Sequence, residues 1–213
     1  NNTGNGNNVF SDSLSIVNNG TGYMVFSNSV RDIYNGVLSA TTNSSGIIYL
    51  AHRGTNTEFN ENIIVSSTSN GSIRFGASTG TSSLATGKTF IVGTSGFNSG
   101  SLNLSRLTQT GANPLSFTLG TGAILNLGPA LVLNGDVSIN SGGICFNGAT
   151  FNGTISVTKT GAANDAGNGN NIFNASSSFI NSGTGYLLLA NSTRDVFNDV
   201  VEFTNAGSGL IHV

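Results

Sequence analysis

Apolar and polar residues alternate over short stretches of this chain, and the stretches recur. Phe10, Tyr34 and Phe59 mark one evenly spaced set of aromatics, and Phe151, Phe173 and Phe197 mark another at nearly the same spacing. Asn or Ser follows each aromatic: Ser11, Asn35, Asn60, Asn152, Asn174 and Asn198. Four and six positions beyond each lie mostly apolar residues, such as Leu14 and Ile16, Leu38 and Ala40, or Ile155 and Val157. Ser15, Ser39 and Ser156 sit between them. A period of two is the mark of a strand with one buried face. No window carries the i, i+3, i+4, i+7 spacing of an amphipathic helix, and abundant Gly and β-branched residues disfavour one.

A second strand follows a Gly-rich corner. Aligning GYMVF (22–26), GIIYL (46–50), GSIRF (71–75), GGICF (142–146), GYLLL (185–189) and GLIHV (209–213) gives two wholly apolar columns. One runs Met24, Ile48, Ile73, Ile144, Leu187, Ile211, and the other Phe26, Leu50, Phe75, Phe146, Leu189, Val213; both face inward. The column between them, Val25, Tyr49, Arg74, Cys145, Leu188, His212, accepts Arg and His. It faces outward, because an unpaired buried charge is strongly unfavourable. Units of this size cannot close a core alone and must stack on their neighbours. The pattern predicts an all-β, single-stranded parallel β-helix (β-solenoid) with rungs of about 22–25 residues. Phe10, Phe59, Phe151, Phe173 and Phe197 form its aromatic core. Residues 76–141 are less regular but still alternate, and Pro114 and Pro129 fall at corners, since proline cannot donate to a ladder. A β-sandwich competes with this reading but does not explain columns that recur at rung spacing.

A longer period contains the short one. Residues 1–50 recur without a gap as residues 164–213, an offset of 163, with 24 of 50 pairs identical. Residues 1–163 thus read as one full superunit of about seven rungs, and 164–213 as the start of the next, in an interior segment of a longer array. At the inter-strand spacing of about 4.8 Å, one superunit lengthens a rod by about 33 Å.

Composition supports a folded, weakly charged surface. Only 8% of residues are charged, against roughly 25% in typical domains. Regularly placed apolar residues, 37% of the chain, argue against disorder. The formal net charge is −2, and the seven basic residues (Arg31, Arg53, Arg74, Lys88, Arg106, Lys159, Arg194) are scattered along the sequence. This leaves no evident basic patch for nucleic acid. No apolar run approaches the ~18 residues of a membrane span. Cys145 is the single cysteine and cannot close an internal disulfide.

Candidate chemistry is sparse. Arg31–Asp32 and Arg194–Asp195 recur in the phrase N-S-x-R-D-[IV]-[FY]-N. They offer either a carbohydrate or cation contact presented once per superunit, or a corner salt bridge or Asx-turn that fixes loop shape. The second reading is preferred. Glu58 and Glu61 flank Phe59 and are a close acidic pair without a basic neighbour in sequence. They carry the alternative reading, a polysaccharide-acting β-helix hydrolase or lyase, which needs paired carboxylates on one face. His52 and His212 do not recur between the copies and read as surface residues. GNGNN (4–8 and 167–171) echoes a nucleotide loop but lacks its Lys and helix, so it reads as a corner. The outward positions show no regular Thr rank of the ice-binding kind. No catalytic, cofactor-binding or metal-ligating residue is assigned, and no cofactor is expected.

The runs NGATFNGTISVTKTGAANDAGNGNNIFN (147–174) and NSGTGYLLLANSTRDVFNDVVEFTNAGSGLIHV (181–213) resemble the repeat arrays of very large Bacteroidota cell-surface proteins, a group that includes gliding-motility adhesins. The phrases F-N-G, G-x-G-Y-L-x-L-A-N-S and K-T-G-x-x-N-D carry the resemblance. It implies export through the type IX route, attachment at the outer membrane and display as a filament. The expected role is a stalk segment that gives an adhesin reach and stiffness, with weak multivalent contact to extracellular polysaccharide or solid surfaces. The expected partners are further copies of the repeat, with no nucleic acid and no membrane insertion by this segment.

Overall fold

A computed structural model describes residues 2–213. It contains 28 strands and, among the described residues, no helix. The strands pair in parallel, and each coil visits three faces in turn. The first face is a seven-stranded sheet, from Asn2–Thr3 to Gly143–Phe146, continued by a three-stranded one from Asp165–Ala166 to Ile211–His212. The second is an unbroken nine-stranded sheet from Val9–Phe10 to Val196–Phe197. The third joins a four-stranded sheet, Leu14–Asn18 to Phe90–Phe97, to a five-stranded one, Leu115–Thr118 to Val201–Asn205. The chain is a β-solenoid of about nine turns.

The sequence columns are columns of the structure. On the second face Phe10 pairs with Tyr34 and Tyr34 with Phe59, and Phe151 with Phe173 and Phe173 with Phe197. Their rings stack with centroids 4.9 and 5.0 Å apart in the first set, and 5.1 and 4.8 Å in the second. Each fully buried ring contributes about 1.5–3 kcal/mol by leaving water, and each stack about 0.5–1.5 kcal/mol more. On the first face Ile48, Ile73, Leu102, Leu125 and Ile144 lie one over another, all fully buried. Tyr49, Arg74 and Cys145 face outward and are half-buried, and His212 is exposed. Val25 departs from the outward column's expectation. It is buried, at the base of a depression walled by Tyr23, Tyr49 and His52.

On the second face the middle coils keep the register but change the filling. Leu84, Gln109 and Leu133 continue the column that the aromatics occupy elsewhere. Gln109 is fully buried and hydrogen-bonded through both its amide oxygen and its amide nitrogen. Its Oε1 accepts the N–H groups of Asn134 and Gly135, both at 3.0 Å, and its Nε2 donates to the Asn113 carbonyl at 2.6 Å. A buried amide is tolerated only when its polar atoms are satisfied in this way. The strand Phe90–Phe97 carries a bulge between Val92 and Phe97. Pro114 and Pro129 lie at corners, as expected.

The long sequence period is also structural. Asn18 Nδ2 donates to the Gly22 and Ile47 carbonyls, and its Oδ1 accepts the Gly20 N–H. Asn181 makes the same three bonds to Gly185, Leu210 and Gly183. Gly6 (φ +96°) and Gly169 (φ +86°) pack against the carbonyls of Val30 and Thr193, where a methyl group would collide. The GNGNN segments are therefore tight corners, since only glycine combines this φ with so close an approach. Outside the aromatics, side-chain amides ladder from coil to coil. Asn60 donates to Asn35 at 2.9 Å, Asn174 to Asn152 and Asn198 to Asn174, both at 2.7 Å.

Candidate functional site

The recurring Arg–Asp pair splits on folding. Asp32 precedes the strand Ile33–Tyr34, and the inward turn of the chain buries its carboxylate completely. Its Oδ1 accepts both the backbone N–H and the Nδ2 of Asn8, each at 2.9 Å, and its Oδ2 accepts the Ser27 hydroxyl at 2.7 Å. Arg31 stays exposed and ion-pairs with Glu58 in the next coil at 2.6 Å. Asp32 is thus a structural acceptor inside the corner and takes no part in a surface contact; Arg31 alone reaches solvent. The second copy repeats the plan with one change. Asp195 Oδ1 accepts from Asn171 N and Nδ2, both at 2.8 Å, but Ala190 stands where Ser27 stood, and Asp195 Oδ2 is shielded without a partner. Burial raises the Asp195 pKa. Arg194 is exposed.

The acidic pair of the enzymatic reading is not a free pair. Glu58 meets Arg31, and Glu61 meets Lys88 Nζ at 2.6 Å. The Lys88 hydrogen bond holds Glu61 below the usual carboxylate range. The basic neighbours missing in sequence come from adjacent coils. A glycosidase acid needs a raised pKa, whereas Glu61 is held low, and each of the two carboxylates is taken up by a base from an adjacent coil. Among the described residues, no three His, Cys, Asp or Glu side chains gather as a metal site requires.

One charged pair has almost no signature in sequence. Lys159 and Asp165 belong to the K-T-G-x-x-N-D phrase, and both are essentially inaccessible, at 0% and 2%. Lys159 Nζ donates to the Gly161 carbonyl at 2.7 Å and lies 3.7 Å from Asp165 Oδ2, which also accepts the Ile144 N–H at 2.9 Å. The pair sits at the break between the two sheets of the first face, where the carboxylate supplies the acceptor for Ile144. Burial pushes the Asp165 pKa up to about 6, against the opposing Ile144 hydrogen bond and Lys159 charge. Nearby Cys145 is pushed up to about 11, by burial first and then by Asp165, which leaves its thiol unreactive near neutral pH. The one sequence signal for the pair is an Asp where neighbouring coils carry Ile144 and Leu187.

The arginines, scattered in sequence, are not scattered in space. Arg74 lies on the first face, in Ser72–Phe75. Arg31, Arg106 and Arg194 each directly precede a second-face strand position, at the corner between these faces, and Arg53 lies in the same corner. His52 adjoins them, its pKa lowered by burial and by Arg53.

No family model, curated protein or solved structure matches the chain.

Proposed function

We propose that this chain is a rod-forming segment of a longer array, whose work is mechanical extension. The observation that carries the reading is the return of the same side-chain geometry in the second copy, in register, within one continuous stack. The Asn18 and Asn181 staples recur one superunit apart, as do the Asn8–Asp32 and Asn171–Asp195 corners. A unit that reproduces its own starting geometry extends without limit. Stiffness follows from inter-coil hydrogen bonds on all three faces and from stacked rings in the core. We read the array as the stalk of an exported cell-surface adhesin. That part rests on the resemblance of residues 147–174 and 181–213 to Bacteroidota surface arrays.

The rod is tested by small-angle scattering from chains carrying one, two and three superunits. The maximum dimension is expected to rise by about 33 Å per added unit. Units that fold back on one another and leave it unchanged contradict the proposal. Surface proteolysis of intact source cells tests the stalk, since a protected segment is not displayed.

A further inference from the structure

The charges of this rod are segregated across its section. All five arginines line the first face or its corner with the second. None of the nine acidic side chains points outward from the first face. Asp165 is buried there, Asp32 and Asp195 are turned inward at the arginine corner, where Asp32 is fully buried, and Glu58, on the second face, is taken up by Arg31. Asp12, Glu61, Asp136 and Asp199 occupy the corner between the second and third, and Glu202 lies on the third. A molecule with a net charge of only −2 thus presents one cationic edge.

Aromatic rings interrupt that edge where the arginines are densest. Tyr49 projects outward from Ile47–Leu50 at the centre of a cluster. The Tyr23 ring meets it edge-on at 6.4 Å, the His52 ring at 4.9 Å, and the Arg74 guanidinium lies 5.7 Å from its centroid. Tyr23, Tyr49, His52 and Arg53 wall the depression that has Val25 at its base. Arg53 and Arg74 have no carboxylate within ion-pair distance among the described residues, unlike Arg31. Arg74 Nε and His52 Nδ1 are shielded and make no hydrogen bond. The second copy places Tyr186 against His212, edge-on at 5.5 Å, at the positions equivalent to Tyr23 and Tyr49.

We infer that this edge binds an acidic polysaccharide, a glycan bearing uronate or similar carboxylates, with Tyr49, Arg53 and Arg74 as the principal contacts. Arg74 lies over the Tyr49 ring, and the exposed Tyr23 ring beside it offers an apolar face with a polar tip, suited to the C–H face of a sugar ring. Two unpaired guanidiniums beside it match carboxylates in a bidentate manner. The cluster and its Tyr186–His212 echo lie one superunit apart, about 33 Å along the rod, so one extended polymer can touch both. Weak contacts then add by multivalency along an array. The inference rests on the stalk reading and deepens it by naming what the stalk touches.

Binding of the chain to polygalacturonate, to fully methyl-esterified polygalacturonate and to duplex DNA tests it, with scattering recorded on each variant. We expect retention by polygalacturonate that vanishes at high salt and on methyl esterification, and weaker binding to DNA. Arg53→Gln/Arg74→Gln and Tyr49→Ala are each expected to weaken binding roughly tenfold or more while the rod keeps its length. Equal binding to the esterified polymer, preference for DNA, no binding at all, or unchanged affinity in both variants overturns the inference and leaves the rod intact. Loss of length in Tyr49→Ala transfers the test to the arginine variant, whose side chains carry no core packing.

Discussion

At the corner before the aromatic column, Asp32 and Asp195 occupy equivalent places in the two copies, with the same backbone and the same Asn partner. They differ in their second oxygen: Ser27 donates to Asp32, whereas Ala190 leaves Asp195 unsatisfied. The first residues of the two copies differ likewise. Asp165 forms a buried pair with Lys159, and its counterpart, Asn2, carries no charge. The two copies show that the solenoid fixes its apolar columns and its corner backbone, while its buried polar groups depend on side chains five or six residues away in the same coil, which the copies do not keep. Rung geometry survives the loss of a hydroxyl without a change of register.

The largest effect should come from the rings. Phe173→Asp places a carboxylate between Phe151 and Phe197 with no partner, and a urea unfolding series should show a loss of about 3–5 kcal/mol or more. Phe10→Asp, at the equivalent but half-exposed position, should lose clearly less. Equal losses would mean that stacking on both sides is not what holds the column.

The buried pair comes next. Lys159→Met strands the Asp165 carboxylate and should cost about 3–5 kcal/mol. Adding Asp165→Leu should recover most of that loss but not all, because the Ile144 N–H then lacks its acceptor. Asp165 also gives a pH signature. Its folded pKa, about 6, exceeds the ~3.9 of an unfolded chain, so the folded state holds the extra proton between those values. Stability should therefore fall as pH rises from about 4 to about 6. Thermal melts of Asp165→Asn should lack this component of the slope.

The corner difference predicts a reciprocal pair. Ser27→Ala should cost about 1–3 kcal/mol, by leaving Asp32 Oδ2 in the state of Asp195. Ala190→Ser should gain about 1 kcal/mol by supplying the missing donor. Smallest of all, Asn174→Ala removes one exposed rung of the amide ladder and should change the unfolding free energy by no more than about 0.5–1.5 kcal/mol.

Most of the fold was legible in the sequence because inward columns declare themselves by period and by repetition. Phe10, Tyr34 and Phe59 are recognisable as one column from their spacing alone. The middle resisted for physical reasons. Gln109 fills an inward position that composition assigns to surface, and the coil that carries Leu133 to Phe151 is shorter than those at either end of the rod. The eighth coil resisted too, because Asn164, Asp165 and Ala166 show no apolar strand pattern. The charged edge could not be read at all. Arg31 and Arg106 are distant in the chain, and only the coil length brings them into one column.

The spacing of paired residues has a kinetic consequence. Every strand partner lies about one coil away along the chain. The span from Val137 to Ile155 is among the shortest and that from Ser67 to Phe97 is the longest, and they differ by less than a factor of two. Loop-closure entropy is therefore nearly the same modest quantity for each coil, wherever it lies. Relative contact order falls as such an array lengthens, so a giant chain need not be a slow one. Once a first pair of coils has nucleated, each new coil has a finished edge to grow on. A chain delivered end-first can then fold behind an advancing front, one turn at a time, with only a single open edge exposed to misassembly.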